Sequence, residues 1–223
     1  VIAFDEFQQI TNYPEENFEA TLRTYIQPLK NISFIFCGSK TSMISEMFTS
    51  SKRPFYSSTF PTHIGPIDQD KYKKFIRRMF RKSKTEISDN ALEFVLDWTR
   101  SHTWYVQALC NKLFSMSYKS IQIDEAKKAA AQLLFEHENT FYQFRSLLTS
   151  KQWKFLIALA KEDEVNEPTS FDFTSQYNLG GPSSVKRTLE SLLDKEMIFE
   201  EVREGDKVYF IQDVFLSRWL SKL

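Results

Sequence analysis

The chain opens Val1-Ile2-Ala3-Phe4-Asp5-Glu6-Phe7-Gln8, and the reading of these eight residues decides the fold. Four apolar residues without polar alternation run straight into two adjacent carboxylates. Such a run predicts a strand buried on both faces, as in a parallel sheet, with its acid pair at the carboxyl end. Open α/β sheets hold ligands outside the carboxyl ends of their strands, so Asp5 and Glu6 become the first candidate site residues. The same residues also read as a buried strand closing in a solvated acidic turn, and the rest of the chain has to separate the two.

Downstream, Asn12-Tyr13-Pro14-Glu15-Glu16 predicts a helix start, with proline in the first turn and acids where the helix dipole favours them. Phe18, Leu22 and Ile26 follow at four-residue spacing, giving a helix with one buried face that ends near Pro28. Asn31 to Cys37 is a second strand with little polar alternation, so strand, helix and strand make a βαβ unit with a right-handed crossover. Met43, Ile44, Met47 and Phe48 mark a short helix. Phe60 to Ile67 predicts a third strand, short or at an edge because Pro61, Gly65 and Pro66 interrupt it.

From Asp68 the pattern turns helical. Asp70 to Lys84 puts Tyr72, Phe75, Ile76, Met79 and Phe80 on one side and many bases on the other. Ser88-Asp89 caps a helix carrying Ala91, Leu92, Phe94, Val95 and Trp98, and two more helices run over about 104–117 and 124–140. Thr149-Ser150 opens a further helix through Leu159, a shorter one covers 171–177, and Gly180 to Ser184 turns into a third with Val185, Leu189, Leu192 and Leu193. Residues 197–213 alternate around Glu204-Gly205-Asp206 as a hairpin, and 214–220 form a last short helix. Three helices followed by a two-stranded wing are a winged helix-turn-helix. The expected architecture is α/β plus all-α: a partial parallel sheet over 1–67, a helical lid over 68–148 and a winged helix over 149–223.

Composition bounds the functional classes. The 223 residues are 42% apolar, enough to bury a core in one large domain or two small ones. Formal charge is zero with 26% charged residues, so no overall field concentrates nucleic acid or anionic lipid, although local patches remain. There are 21 Phe and only 5 Gly, which suits helical packing better than a barrel or sandwich of many tight turns. Cys37 and Cys110 sit in apolar runs without a CxxC or Cys/His cluster, which predicts reduced core thiols of a cytoplasmic protein and no zinc site. His63, His102 and His137 lie far apart and read as surface or packing residues. There is neither a secretory signal nor a membrane-length apolar run. The chain begins inside an expected central strand, so a piece of a longer protein is expected.

Taken together, "VIAFDEFQ" at 1–8, "FIFCGSKTSMISEMF" at 34–48, "SSKRPFYSS" at 50–58, "WYVQALCNKLF" at 104–114, "GGPSSVKRTLESLLDKEMI" at 180–198 and "DVFLSRWL" at 213–220 resemble the carboxyl-terminal portion of a AAA+/STAND-like P-loop ATPase of the prokaryotic, archaeal type. The likeness covers essentially the whole chain. It implies that 1–8 is a Walker B strand, in which Asp5 holds the Mg²⁺ hydration shell beside ATP and Glu6 orients the attacking water. It implies that Ser39, with Lys40 and Thr41 as neighbours, is the polar sensor of the γ-phosphate, although Ser39 also reads as a simple turn residue after Gly38. Family members often carry an arginine shortly after the "PxY" segment, where this chain has Ser57-Ser58. Arg53 is the nearby cation that would touch the nucleotide. The phosphate loop GxxxxGK[ST] that the family needs is absent, since Gly38 to Thr41 lacks its first glycine and its spacing, and the loop is expected upstream of Val1.

Two rival classes remain. A winged helix can read DNA with its third helix, but here Lys186, Arg187 and Lys195 are offset by Glu190, Asp194 and Glu196. The wing carries Glu200, Glu201, Glu204 and Asp206 against Arg203 and Lys207, and an acidic wing opposes phosphate contacts. Nucleic acid is therefore possible but not favoured there. The second rival is a non-catalytic module in which lid and winged helix bind a protein partner or a second copy, with the ATPase half as a switch. The bases between Lys71 and Lys84 read either as a solvated face or as a surface for nucleic acid or nucleotide phosphates.

Overall fold

β1 (Ile2–Phe4) and β2 (Phe34–Phe36) pair in parallel with Ile2 opposite Phe34 and Phe4 opposite Phe36. This computed structural model describes residues 1–223 except Ser39, Lys40, His63 and Glu204 and the side chains of Thr41 and Ser42. The chain divides into two compact units, Val1–Gly65 and Pro66–Leu223.

In the first unit a 3-10 turn at Phe7–Asn12 follows β1, α1 (Phe18–Ile26) lies between the strands, and α2 (Thr41–Thr49) follows β2. Phe7, Met47, Phe48 and Phe55 are buried, with Phe4, Ile10, Leu22, Ile26, Phe36 and Ile44 packed around them. Phe7 is the hub of that cluster. Its ring lies 4.4 Å from Phe36, 5.8 Å from Phe48 and 5.3 Å, edge-on, from Phe55.

Four expectations need correction here. The β1–β2 pair is not buried on both faces: Ala3 and Ile35 lie on the side opposite Phe4 and Phe36, away from the Phe7 cluster, and are exposed, Ile35 by 50%, while Ile2, on the Phe4 side but at the first residue of the strand, is 43% exposed. Cys37 is exposed instead of lying in the core, one residue past the end of β2. No strand forms among the described residues of 60–67; Phe60 and Ile64 are 99% and 90% exposed, and Pro61 and Pro66 supply no ladder N–H. Finally, α1 starts at Phe18 after Asn17 in left-handed conformation (φ 61°), while Pro14 to Glu16 form bends and turns.

The second unit is built on α3 (Gln69–Lys82), α4 (Asp89–Trp98), α5 (Thr103–Ser115) and the long α6 (Ile123–Ser146). Two-residue strands β3 (Glu86–Ile87) and β4 (Ser120–Ile121) pair in parallel and tie the α3–α4 link to the α5–α6 link. The winged helix follows: α7 (Ser150–Glu162), α8 (Phe171–Gln176), α9 (Pro182–Asp194), β5 (Ile198–Arg203), β6 (Asp206–Ile211) and α10 (Val214–Leu220). Thr149 and Gln152 form a capping box at the start of α7, and Gln152 then donates from Nε2 to Ser191 Oγ on α9 at 3.0 Å. Gly180, at φ 93°, makes the turn into α9, where side chains other than glycine are strained.

One hydrophobic core runs from Tyr72 to Leu220, so helical block and winged helix are packed as one unit. Phe141 on α6 packs at a tilt against Trp219 on α10, with ring centroids 5.4 Å apart. A polar knot reinforces the seam. Arg100, past the end of α4, donates to Asp163 Oδ1 at 2.5 Å, to the Ile211 carbonyl at 2.8 Å and to Ser217 Oγ at 3.0 Å. Arg218 donates to the same Asp163 oxygen at 3.1 Å and to the Trp98 carbonyl at 3.0 Å. Burial works against ionisation of Asp163, but the bonds and charges of Arg100 and Arg218 outweigh it and hold the carboxyl below its ordinary range.

Candidate functional site

The acid pair stands where the sequence places it, at the carboxyl end of β1. The ladder continues past the strand ends: the Cys37 N–H donates to the Phe4 carbonyl and the Phe7 N–H to the Cys37 carbonyl, both at 2.8 Å. Asp5 and Glu6 are thereby held beside Cys37 and Gly38. Glu6 adopts the left-handed conformation (φ 49°, ψ 44°), and its N–H donates to Asp5 Oδ1 at 3.0 Å. Non-glycine residues at positive φ are uncommon and are held by their surroundings. Here the holding group is Phe7, 1% exposed, which fixes the chain directly after the acids while both carboxylates stay at the surface.

Gln8 is the residue that reading by motif missed. It is 1% exposed, and its Nε2 donates to Glu6 Oε2. Its Oε1 is buried without a hydrogen-bond partner among the described residues and faces Gly38. A Cβ on Gly38 would collide with that oxygen and come within 2.7 Å of Ile44. The glycine is thus required by close approach, and Gln8 couples the Glu6 carboxylate to the end of β2. The sequence offers little signal for it, since Gln8 is followed directly by Gln9, Thr11 and Asn12 and is set apart from them by its burial.

Ser39 and Lys40, the expected sensor and its neighbour, lie outside the described residues; Thr41 opens α2. Arg53 is half-buried and pairs with Glu19 Oε2 at 3.0 Å. Burial raises the Glu19 carboxyl above its ordinary range, against the pull of Arg53. Arg23 donates to the Pro54 carbonyl, so two arginines pin the loop that holds Phe55 in the Phe7 cluster. Ser58 donates from its hydroxyl to the Phe55 carbonyl at 2.6 Å.

Within the second unit the wing's bases are engaged. Arg203 pairs with Glu201 at 2.7 Å and Glu164 at 2.8 Å, and Lys207 with Glu200 at 2.9 Å. Cys110 packs against the core, and burial pushes its thiol up to about 12, which disfavours the thiolate. His137 stacks on Phe141 and packs at a tilt against Phe215, and His102 packs edge-on against Tyr105, as packing residues.

Comparison with known proteins agrees with this architecture at the level of fold. The family model described as "Probable winged helix domain" matches residues 139–222, from within α6 to the end of α10. Among solved structures, a Walker-type ATPase of Pyrococcus abyssi superposes with a TM-score of 0.61 at 18% identity, over 100% of this chain and 63% of that one. At that identity the likeness shows the fold, and the chain spans less than two thirds of the neighbour's length. Curated proteins give no match to the sequence. The chain is therefore similar in fold to a Walker-type ATPase and carries a winged-helix domain. No helix of the described residues is long and apolar enough to cross a membrane.

Proposed function

We propose that this chain supplies the acid strand, lid and winged helix of an ATP-binding and ATP-hydrolysing P-loop ATPase of the AAA+/STAND-like kind, acting as a nucleotide-driven switch. The observation that carries the reading is the acid pair itself: two exposed carboxylates at the carboxyl end of a strand in a parallel pair, anchored by Phe7, with Glu6 oriented by buried Gln8. Exposed oxygens at a strand end suit a hydrated Mg²⁺, a hard cation that keeps several waters. In this role Asp5 holds the hydration shell and Glu6 accepts a proton from, or orients, the attacking water. Bound Mg²⁺ would supply neutralisation of the charge that develops on the phosphates. Ser39 serves as sensor and Arg53 as a cation near the nucleotide; Arg53 would have to exchange its Glu19 partner for phosphate to do so. The phosphate cradle must come from residues outside this sequence, which holds no glycine-rich phosphate loop.

We keep 1–67, 68–148 and 149–223 as the catalytic, lid and winged-helix parts of that machine, in the cytoplasm of a prokaryote, with a protein partner or a second copy as its client. DNA reading by the winged helix is the weaker alternative, since Arg203 and Lys207 are already engaged by acids. The test is Asp5→Asn in the full-length gene product, followed by titration calorimetry with ATP. Affinity in Mg²⁺ should fall at least tenfold while affinity in EDTA is unchanged; equal affinity in Mg²⁺ would remove Asp5 from the site.

A further inference from the structure

We propose that the outward face of α3 binds the phosphate backbone of a nucleic acid. This goes beyond the ATPase reading and does not depend on it. Between Gln69 and Lys84 the chain carries eight bases and one acid, in a protein whose formal charge is zero. The structure sorts the bases of α3 by face. Tyr72, Ile76 and Phe80 are buried in the core. Lys73 and Arg77 sit on the flank toward α4 and are paired there with Glu93 and Asp89. Lys71, Lys74, Arg78, Arg81 and Lys82 are exposed, and none of them makes an ion pair among the described residues.

An ordinary solvated helix face intersperses acids at four-residue spacing, which supports the helix. Here Lys74, Arg78 and Lys82 follow one another at that spacing, so like charges repel along the exposed stripe. Lys74, Arg77, Arg78, Arg81 and Lys82 border one shallow surface depression, open to an anion. Folding gains nothing from this arrangement, whereas a polyanion would relieve it.

The chemistry selects nucleic acid over lipid. A helix that settles on a membrane inserts an apolar face, and the apolar face of α3 is already occupied by the core. What remains outside is charge with two partly exposed apolar side chains, Met79 at 45% and Phe75 at 48%, the latter beneath the Arg78 guanidinium at 5.5 Å from the ring centroid. Cations beside an exposed ring suit a phosphate chain with a base to stack.

The experiment is fluorescence anisotropy of the intact chain with a labelled mixed-sequence strand of about 25 nucleotides and its duplex, from about 50 to 200 mM salt. If five bases each neutralise one phosphate, the logarithm of the association constant falls against the logarithm of salt with a slope of about −3.5 for the strand and −4.5 for the duplex. The double reversal Lys74→Glu/Arg78→Glu should lower affinity at least tenfold and flatten the slope by about 2. The milder pair Lys71→Ala/Arg81→Ala should do the same in smaller measure if the reversal disturbs folding. Lys186→Glu/Arg187→Glu on the exposed face of α9 should leave binding unchanged. The proposal is overturned if the wild-type chain shows no binding at the lowest salt, if the α9 reversal abolishes binding while the α3 variants do not, or if only phosphatidylglycerol vesicles are bound.

Discussion

The two units solve the same packing problem with different means. Among the described residues, the second unit buries thirty-five hydrophobic residues in one core that runs through helices and wing alike. The first buries four, three of them phenylalanines, and leaves its strands half in water. A large aromatic brings much buried area per residue and few rotamers, so a small cluster can hold an acidic turn in place. The acid-bearing unit is thus anchored at a few points, while the helical unit is secured everywhere, and the comparison predicts where substitutions will hurt.

The largest effect should come from the anchor. Phe7→Ala should destabilise the first unit by about 3–5 kcal/mol, the usual range for emptying a buried aromatic site. Hydrogen exchange read by residue should show amides of 2–56 losing protection while those of α4 to α7 keep theirs. Loss of protection throughout the chain would mean the two units do not unfold separately. Next is Gly38→Ala, whose Cβ would collide with Gln8 and Ile44 and should cost about 1–3 kcal/mol by overpacking. Thermal melting of this variant beside Gly65→Ala checks it, because a Cβ at Gly65 meets nothing within 4 Å.

The smallest effect belongs to the well-secured unit. Asp163→Asn keeps an acceptor for Arg100 and Arg218 but loses the charge, and the side chain is 42% exposed, so about 1 kcal/mol is expected at neutral pH. The native carboxyl lies below its ordinary range, so its contribution is complete above the unfolded value near 4 and fades as pH falls through the lower native value. Melting scans should therefore show wild type losing its advantage over Asp163→Asn as pH falls below about 4. An advantage that persists or grows in acid would contradict the knot as described.

Much of this was legible in the sequence. Most helices of the second unit lie within a few residues of where caps and apolar periods put them, with Ser88 and Thr149 as N-caps, but α6 runs on to Ser146, past the expected end at 140. The acid pair was visible because an unalternated apolar run ends abruptly in charge. What could not be read depends on tertiary coverage and on backbone states without a compositional mark. Ile2 and Ile35 look like core residues by type, yet coverage is a property of neighbours. Glu6, Lys84, Arg100, Ser101 and Ser117 hold positive φ where a glycine would have announced the turn. Gln8 looked like an ordinary polar residue after a motif; only burial reveals that its amide serves Glu6.

In the proposed function Glu6, held by Gln8, acts on the attacking water. The direct measurement is single-turnover ATP hydrolysis beside nucleotide affinity for Glu6→Gln in the full-length gene product. A general base contributes about 10²–10⁴-fold, so hydrolysis should fall by that factor while affinity for Mg-ATP stays within about twofold, leaving nucleotide bound and uncleaved. Hydrolysis at the wild-type rate would contradict the assignment and return Asp5 and Glu6 to the role of a solvated acidic turn.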